Sequence, residues 1–138
     1  MTLDASKDPV RRWYAAWNTQ DMAVADETIG TDVVVHWENA PDVVGLDAYK
    51  DAVRAFWEAF PDLQLTVETL VAEGDRVCVR SYFQGTHQGD FMGLPASGKR
   101  VAWRFHNLYR VEGGKWVEAW AFPDSFAMLQ QLGAIPSS

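Results

Sequence analysis

The spacing of apolar residues changes once along this chain, at Pro61, and the change separates a helical half from a sheet half. Before it, Val10, Trp13, Tyr14 and Trp17 stand at i, i+3, i+4 and i+7, one face of a helix. Leu46, Tyr49, Val53, Phe56, Trp57 and Phe60 mark one face of another helix, which must end before Pro61 because proline disfavours helical backbone in the residue ahead of it. Asp8-Pro9 predicts an N-cap followed by proline at the first helical position, leaving residues 1–7 as a flexible leader. A short helix is predicted over 22–29, stopped by Gly30 and Thr31, and a short strand over 32–37.

After Pro61 the period is two. Leu63, Leu65 and Val67 alternate with Gln64, Thr66 and Glu68, and "EGD" at 73–75 predicts a hairpin into "RVCVRSYFQG". Strands over 100–111 and 115–122 are joined by a second hairpin signal, "EGG" at 112–114. Asp124 is a good N-cap for a last helix that runs through Met128, Leu129 and Leu132 to Gly133. Three helices, a mostly antiparallel curved sheet and a terminal helix define an α+β domain with helices over one sheet face. No repeat or linker divides the 138 residues, so one domain over 1–138 is expected.

Parity assigns the faces of the sheet. In the strand over 101–111 the odd set is Val101, Trp103, Phe105, Asn107, Tyr109 and Val111, and this apolar set should face the helices. The even set carries Arg104, His106 and Arg110 and should face outward. Asn107 is an amide within an apolar row, so it either bonds to the fold or presents a polar group to a ligand.

The composition narrows the function. Seven Trp and seven Phe supply flat apolar surface for a cavity or a bulky core. A net charge of −7 argues against a nucleic-acid or anionic-membrane partner, which a basic face would serve. Cys78 is the single cysteine, so there is neither an internal disulfide nor a paired-cysteine zinc motif. "MTLDASKDP" lacks the layout of a signal peptide and no apolar run reaches the length of a membrane span. A cytoplasmic protein is the expectation.

Five stretches come in a familiar order: "FPDL" at 60–63, "AEGDRV" at 72–77, "GTHQGDFMGLPASGK" at 85–99, "YRVEGGKWVEAW" at 109–120 and "LQQLGAIP" at 129–136. Over residues 8–136 the chain resembles the SnoaL-like polyketide cyclase (ester cyclase) family of the NTF2-like superfamily. The resemblance implies a cone-shaped barrel, a curved sheet around an apolar cavity closed by helices. It also implies intramolecular aldol ring closure on polyketide-type substrates, without metal or organic cofactor, by an acid/base Asp among polar neighbours. In such cyclases the strand after the hairpin reads like "IVEHWD", with His and Asp inward. Aligned on Gly114-Lys115, the present "WVEAWA" puts Ala119 at the His and Ala121 at the Asp. Phe105 and Asn107 fall where cyclases carry polar groups. The fold carries over, and the acid/base pair does not.

The groups left to act are few. His36, in the strand over 32–37, is the best candidate base by its ordinary pKa, against the alternative of a half-exposed strand-end histidine. Asn107 would orient a carbonyl. His87 is a weaker catalytic candidate, with holding the long loop as its other role. Glu118 has outward parity, and Asp124 is read as a helix cap. Tyr14, Trp17, Trp57, Phe60, Trp103, Phe105, Ala119 and Ala121 are the expected walls for a bulky apolar or polycyclic ligand. The leading expectation is a cofactor-free cyclase, isomerase or hydrolase; the alternative is a binding protein that has lost the acid/base pair. The outward face mixes Trp116, Trp120, Tyr82, Leu108 and Phe122 with charges, which predicts a homodimer centred on Trp116 and Trp120.

Overall fold

The fold was obtained as a computed structural model, and residues 3–38 and 40–136 are described. Helices α1 (Leu3–Thr19) and α2 (Ala23–Thr28) are followed by β1 (Ile29–Trp37), β2 (Val43–Val44) and α3 (Leu46–Ala59). Then come β3 (Gln64–Glu73), β4 (Arg76–Thr86), β5 (Arg100–Glu112), β6 (Lys115–Ala121) and α4 (Ser125–Gln131). The sheet has the order β2-β1-β6-β5-β4-β3, and β1 against β6 is its one parallel pair among the described residues. This is the expected α+β architecture, a curved and mostly antiparallel sheet with the helices on its inner face.

The period-two reading holds in β4 and β5. Val77, Val79, Ser81 and Phe83 are buried, as are Val101, Trp103, Phe105, Tyr109 and Val111, so the odd face is the inner one. Both hairpins turn on two residues, between Glu73 and Arg76 and between Glu112 and Lys115. Gly113 and Gly114 have φ of 61° and 80°, left-handed backbone that favours glycine.

Four local expectations are corrected. Helix α1 starts at Leu3, with Pro9 inside it, and not at Asp8-Pro9. Its first turn is docked on the sheet, since the fully buried Ser6 donates its hydroxyl to Gly74 O at 2.8 Å. That tertiary contact outweighs the local proline signal, so the expected flexible leader is helical from Leu3 onward, and Met1 and Thr2 lie outside the described residues. Helix α2 ends at Thr28, and Gly30 and Thr31 lie within β1 instead of terminating a helix. A Cβ at Gly30 would stand 2.9 Å from Val117 Cγ1, so glycine here permits a close approach of β1 to β6.

The third correction moves Trp116 inward. The β5–β6 register steps from Arg110↔Glu118 to Val111↔Trp116, which leaves Val117 as an extra residue in β6. The bulge reverses parity before it, and Trp116 is 1% exposed on the same face as Ala119 and Ala121. It cannot lie at the centre of an outer-face contact. The fourth concerns the large aromatics. Trp57 packs with Trp13 and Trp17, and Phe60 and Trp103 pack with Phe83, at ring separations of 4.7–6.4 Å. These three expected cavity walls are filled core instead.

The first half of β5 extends beyond β6, and its open edge is covered. Gln131 of α4 accepts from Ala102 N at 2.7 Å and donates to Ala102 O at 2.6 Å. Residues 122–124 continue the cover through His106 N to Phe122 O and Asp124 N to Arg104 O. Asp124 caps α4 as expected, accepting from Ala127 N at 3.2 Å.

Candidate active site

The inner face of the sheet and helices α1 and α3 line two adjoining chambers, both partly open. The inner chamber, about 50 Å³, lies under Tyr14, Trp17 and Tyr49 and over Ser81, Phe105, Asn107, Tyr109, Trp116, Ala119 and Ala121. The outer chamber, about 340 Å³, is bounded by the segment around Pro41, by α3 at Ala52 and Ala55, and by Asp90, Phe91 and Met92. Trp37, Phe56 and Phe105 line both. The outer chamber has room for the body of a ligand, and the inner one only for an end of it.

A polar cluster forms the floor of the inner chamber. Tyr14 on α1 and Tyr109 on β5 meet hydroxyl to hydroxyl at 2.7 Å. Asn107 Nδ2 donates to both, at 3.2 Å to Tyr14 and 3.3 Å to Tyr109. Its Oδ1 accepts from Phe122 N at 3.0 Å, which fixes the amide so that its NH₂ faces the tyrosines. Burial raises the Tyr14 phenol well above its usual pKa, opposed by the hydrogen bonds from Tyr109 and Asn107. Burial raises Tyr109 and Tyr49 as well. All three are therefore neutral near pH 7 and each keeps a proton to donate. Ser81 is completely buried on the same floor; its Oγ is near enough to Tyr14 to lower that phenol slightly, yet it makes no hydrogen bond to it or to any other group among the described residues. Neither a carboxylate nor an imidazole lines the inner chamber among the described residues.

The residues singled out from the sequence separate into two groups. Tyr14, Trp17, Phe105, Asn107, Ala119 and Ala121 come together around the inner chamber. Ala119 and Ala121 are 3% and 4% exposed, so the alanines do occupy inward positions. His36 does not join them. It stands on the outer face of β1, with Nε2 at 2.7 Å from Glu118 and Nδ1 at 3.1 Å from Asp42, its ring stacked on Trp120. Its side chain is 30% exposed and makes no wall of either chamber, which removes it as a cavity base. His87 is fully buried beneath the loop that follows β4. Its Nδ1 accepts from Ser97 N at 3.3 Å and lies 3.0 Å from Ser97 Oγ, while its backbone bonds to Lys99 and Gly98. It holds the loop, outside both chambers.

Sequence reasoning singled out neither Tyr109, Tyr49 nor Ser81 as site residues, whereas it kept Glu38 as a possible titratable group and read Asp90 as an exposed loop residue. Tyr109 and Ser81 had a signal, since both are polar groups on the inward parity of apolar strands. Glu38 and Asp90 line the outer chamber, and Glu38 Oε2 accepts from Ser125 Oγ at 3.3 Å.

Residues 7–132 match the profile of the SnoaL-like polyketide cyclase family, and the chain belongs to that family. Aklanonic acid methyl ester cyclase DnrD of Streptomyces peucetius is 29% identical over 130 residues, 91% of this chain and 89% of its own. AclR of Streptomyces galilaeus, a candidate hydroxylase, has a similar structure with a TM-score of 0.86 and 34% identity, covering 99% of this chain and 86% of its own. IdmH of Streptomyces antibioticus, a candidate polyketide cyclase, gives a TM-score of 0.77 and 32% identity, covering 93% and 98%. Among the described residues, no helix is long and apolar enough to cross a membrane.

Proposed function

We propose that this protein is a cofactor-free enzyme acting on a polyketide-type, largely apolar ketone, as a cyclase, isomerase or hydrolase. The observation that carries the reading is the Tyr14–Tyr109–Asn107 cluster at the base of an aromatic cavity. A buried neutral phenol donates to a carbonyl oxygen, and the bond strengthens as charge develops there when a neighbouring carbon loses its proton. The tyrosines do not accept that proton at neutral pH, since burial opposes the phenolate. A carboxylate at the outer chamber takes that part; of Glu38 and Asp90, Glu38 is the one held by a hydrogen bond, from Ser125.

The second reading, a binding protein for apolar small molecules, is favoured by Ala119 and Ala121, which give volume where a cyclase carries its acid/base pair. One experiment separates the two. Purified protein is incubated with aromatic polyketide ketones, aklanonic acid methyl ester among them, and the mixture is followed by mass spectrometry. Product from the wild-type protein that is lost in Tyr109→Phe and Glu38→Gln supports the enzyme. Bound ligand recovered unchanged supports the binder.

The same reading includes a two-fold homodimer through the outer sheet face and a cytoplasmic location in which Cys78 stays reduced. Tyr82 and Trp120 lie there under the guanidinium groups of Arg104 and Arg76, and Phe122 is 45% exposed. Sedimentation should give a dimer at micromolar concentration that Trp120→Arg dissociates; a wild-type monomer would end the dimer proposal. Cell fractionation tests the location.

A further inference from the structure

The inner chamber holds more hydrogen-bond donors than acceptors. Tyr14 and Tyr109 share one hydrogen bond, and each oxygen already accepts from Asn107. Whichever hydroxyl donates to the other, the receiving tyrosine keeps a proton with no acceptor among the described residues. Tyr49 accepts from Trp13 Nε1 at 3.1 Å, and its own proton has no acceptor there either. Ser81 Oγ and Trp116 Nε1, both on lining residues, are buried without partners, and Ser81 Oγ is a free acceptor as well as a donor, so the unmatched protons still outnumber it. The one carbonyl oxygen of the lining side chains, Asn107 Oδ1, is engaged by Phe122 N.

Unmade hydrogen bonds in a buried site are costly, so such a chamber favours a ligand group that brings lone pairs and no protons. A water brings two protons of its own. A carbonyl oxygen brings none, and an ammonium or amide NH brings more of what is already in excess.

We propose that the inner chamber is an acceptor-selective subsite that seats one ketone or quinone oxygen of the ligand against the free tyrosine hydroxyl and Ser81, and that it excludes donor-bearing ends. The proposal rests on the reading of the cavity as a site for a polyketide-type small molecule and adds which end of that molecule enters first. The rest of the ring system lies against Trp37, Phe56 and Phe105 and in the outer chamber.

The test uses two matched bicyclic ligands, 1-tetralone and its hydrocarbon counterpart tetralin, with 1-aminotetralin as the donor-bearing control. Binding to wild-type protein is measured by tryptophan fluorescence, and the carbonyl stretch of bound 1-tetralone by infrared difference spectroscopy. The ketone should bind about tenfold or more tightly than the hydrocarbon, the advantage of one or two buried hydrogen bonds. The amine should bind more weakly than either, and the bound C=O stretch should lie below its value in hexane. Ser81→Ala and Tyr14→Phe should shrink the ketone's advantage without weakening tetralin. Equal binding of ketone and hydrocarbon, or a bound C=O stretch equal to that in hexane, would overturn the acceptor-selective subsite alone. Failure of all three ligands to bind would overturn the subsite together with the small-molecule reading beneath it. The infrared result on the wild-type protein decides the matter even if a variant fails to fold.

Discussion

Replacing Tyr14 and Tyr109 by phenylalanine, singly and together, tests the polar floor without touching its shape. Each change removes one oxygen and leaves the ring, and the sites are 4% and 5% exposed, so bulk water does not refill them. Tyr109→Phe deletes the 2.7 Å hydroxyl pair and the 3.3 Å bond from Asn107, leaving one amide proton without an acceptor. A net buried hydrogen bond is worth about 1 kcal/mol, and a stranded polar group costs about 1–3 kcal/mol, so each single change should cost about 2 kcal/mol. In the double variant the hydroxyl pair is lost only once, and the two single costs should exceed the double by about 1 kcal/mol. Urea unfolding followed by tryptophan fluorescence near pH 7 measures all three. Additivity within about 0.3 kcal/mol would show that the hydroxyls do not interact, and the donor accounting built on them would fall.

Ala121→Asp should place a carboxylate in the inner chamber, where desolvation raises its pKa above the ordinary value of about 4. NMR titration reads it, and a value near 4 would mean that position 121 faces water. His36 is raised mainly by its hydrogen bond to Glu118, so its contribution to stability is complete below the unfolded pKa of 6.5 and disappears as pH rises through the folded value. Glu118 is lowered, chiefly by His36, and contributes above 4.5, losing its part as pH falls through the folded value. Thermal melts should therefore show His36→Gln losing more stability at about pH 5.5 than at about pH 8.5, by a small amount that salt weakens; a pH-independent loss would contradict this. Gly89→Ala would put a Cβ 2.8 Å from Glu58 O and 3.1 Å from Ala59 Cα, beneath the loop that carries Asp90 and Phe91. It should cost about 1–3 kcal/mol in urea unfolding, and an unchanged midpoint would show that the loop yields freely.

The helices and strands were legible because burial imposes periods of 3.6 and two on the sequence, as the faces of α3 and β5 show. Alternation also placed Asn107, Ala119 and Ala121 inward. It misplaced Trp116 because the extra residue at Val117 leaves no local mark: "KWVEAW" reads as an unbroken strand, and only the pairing with Arg110 and Val111 reveals the bulge. The start of α1 is hidden for a related reason, since the Ser6 contact that extends it lies across the sequence at Gly74. The Tyr14–Tyr109 pair joins residues 95 positions apart, and no spacing rule reaches that far. Ser81 was legible, a hydroxyl between Val79 and Phe83 on the inward parity, and it was passed over in favour of titratable groups. His36 shows the opposite error. Its chemistry suits a base, but its place in β1 directs it to Glu118 and Asp42 on the outer face.

A crystal structure of the wild-type protein with 1-tetralone bound tests the account most directly. The ligand's oxygen should lie about 2.7–3.0 Å from the hydroxyl of Tyr14 or Tyr109, within hydrogen-bonding distance, with its ring beside Phe105 and Phe56. A ligand that turns its hydrocarbon edge to the two tyrosines, or that settles on the outer sheet face beside Trp120, would contradict it.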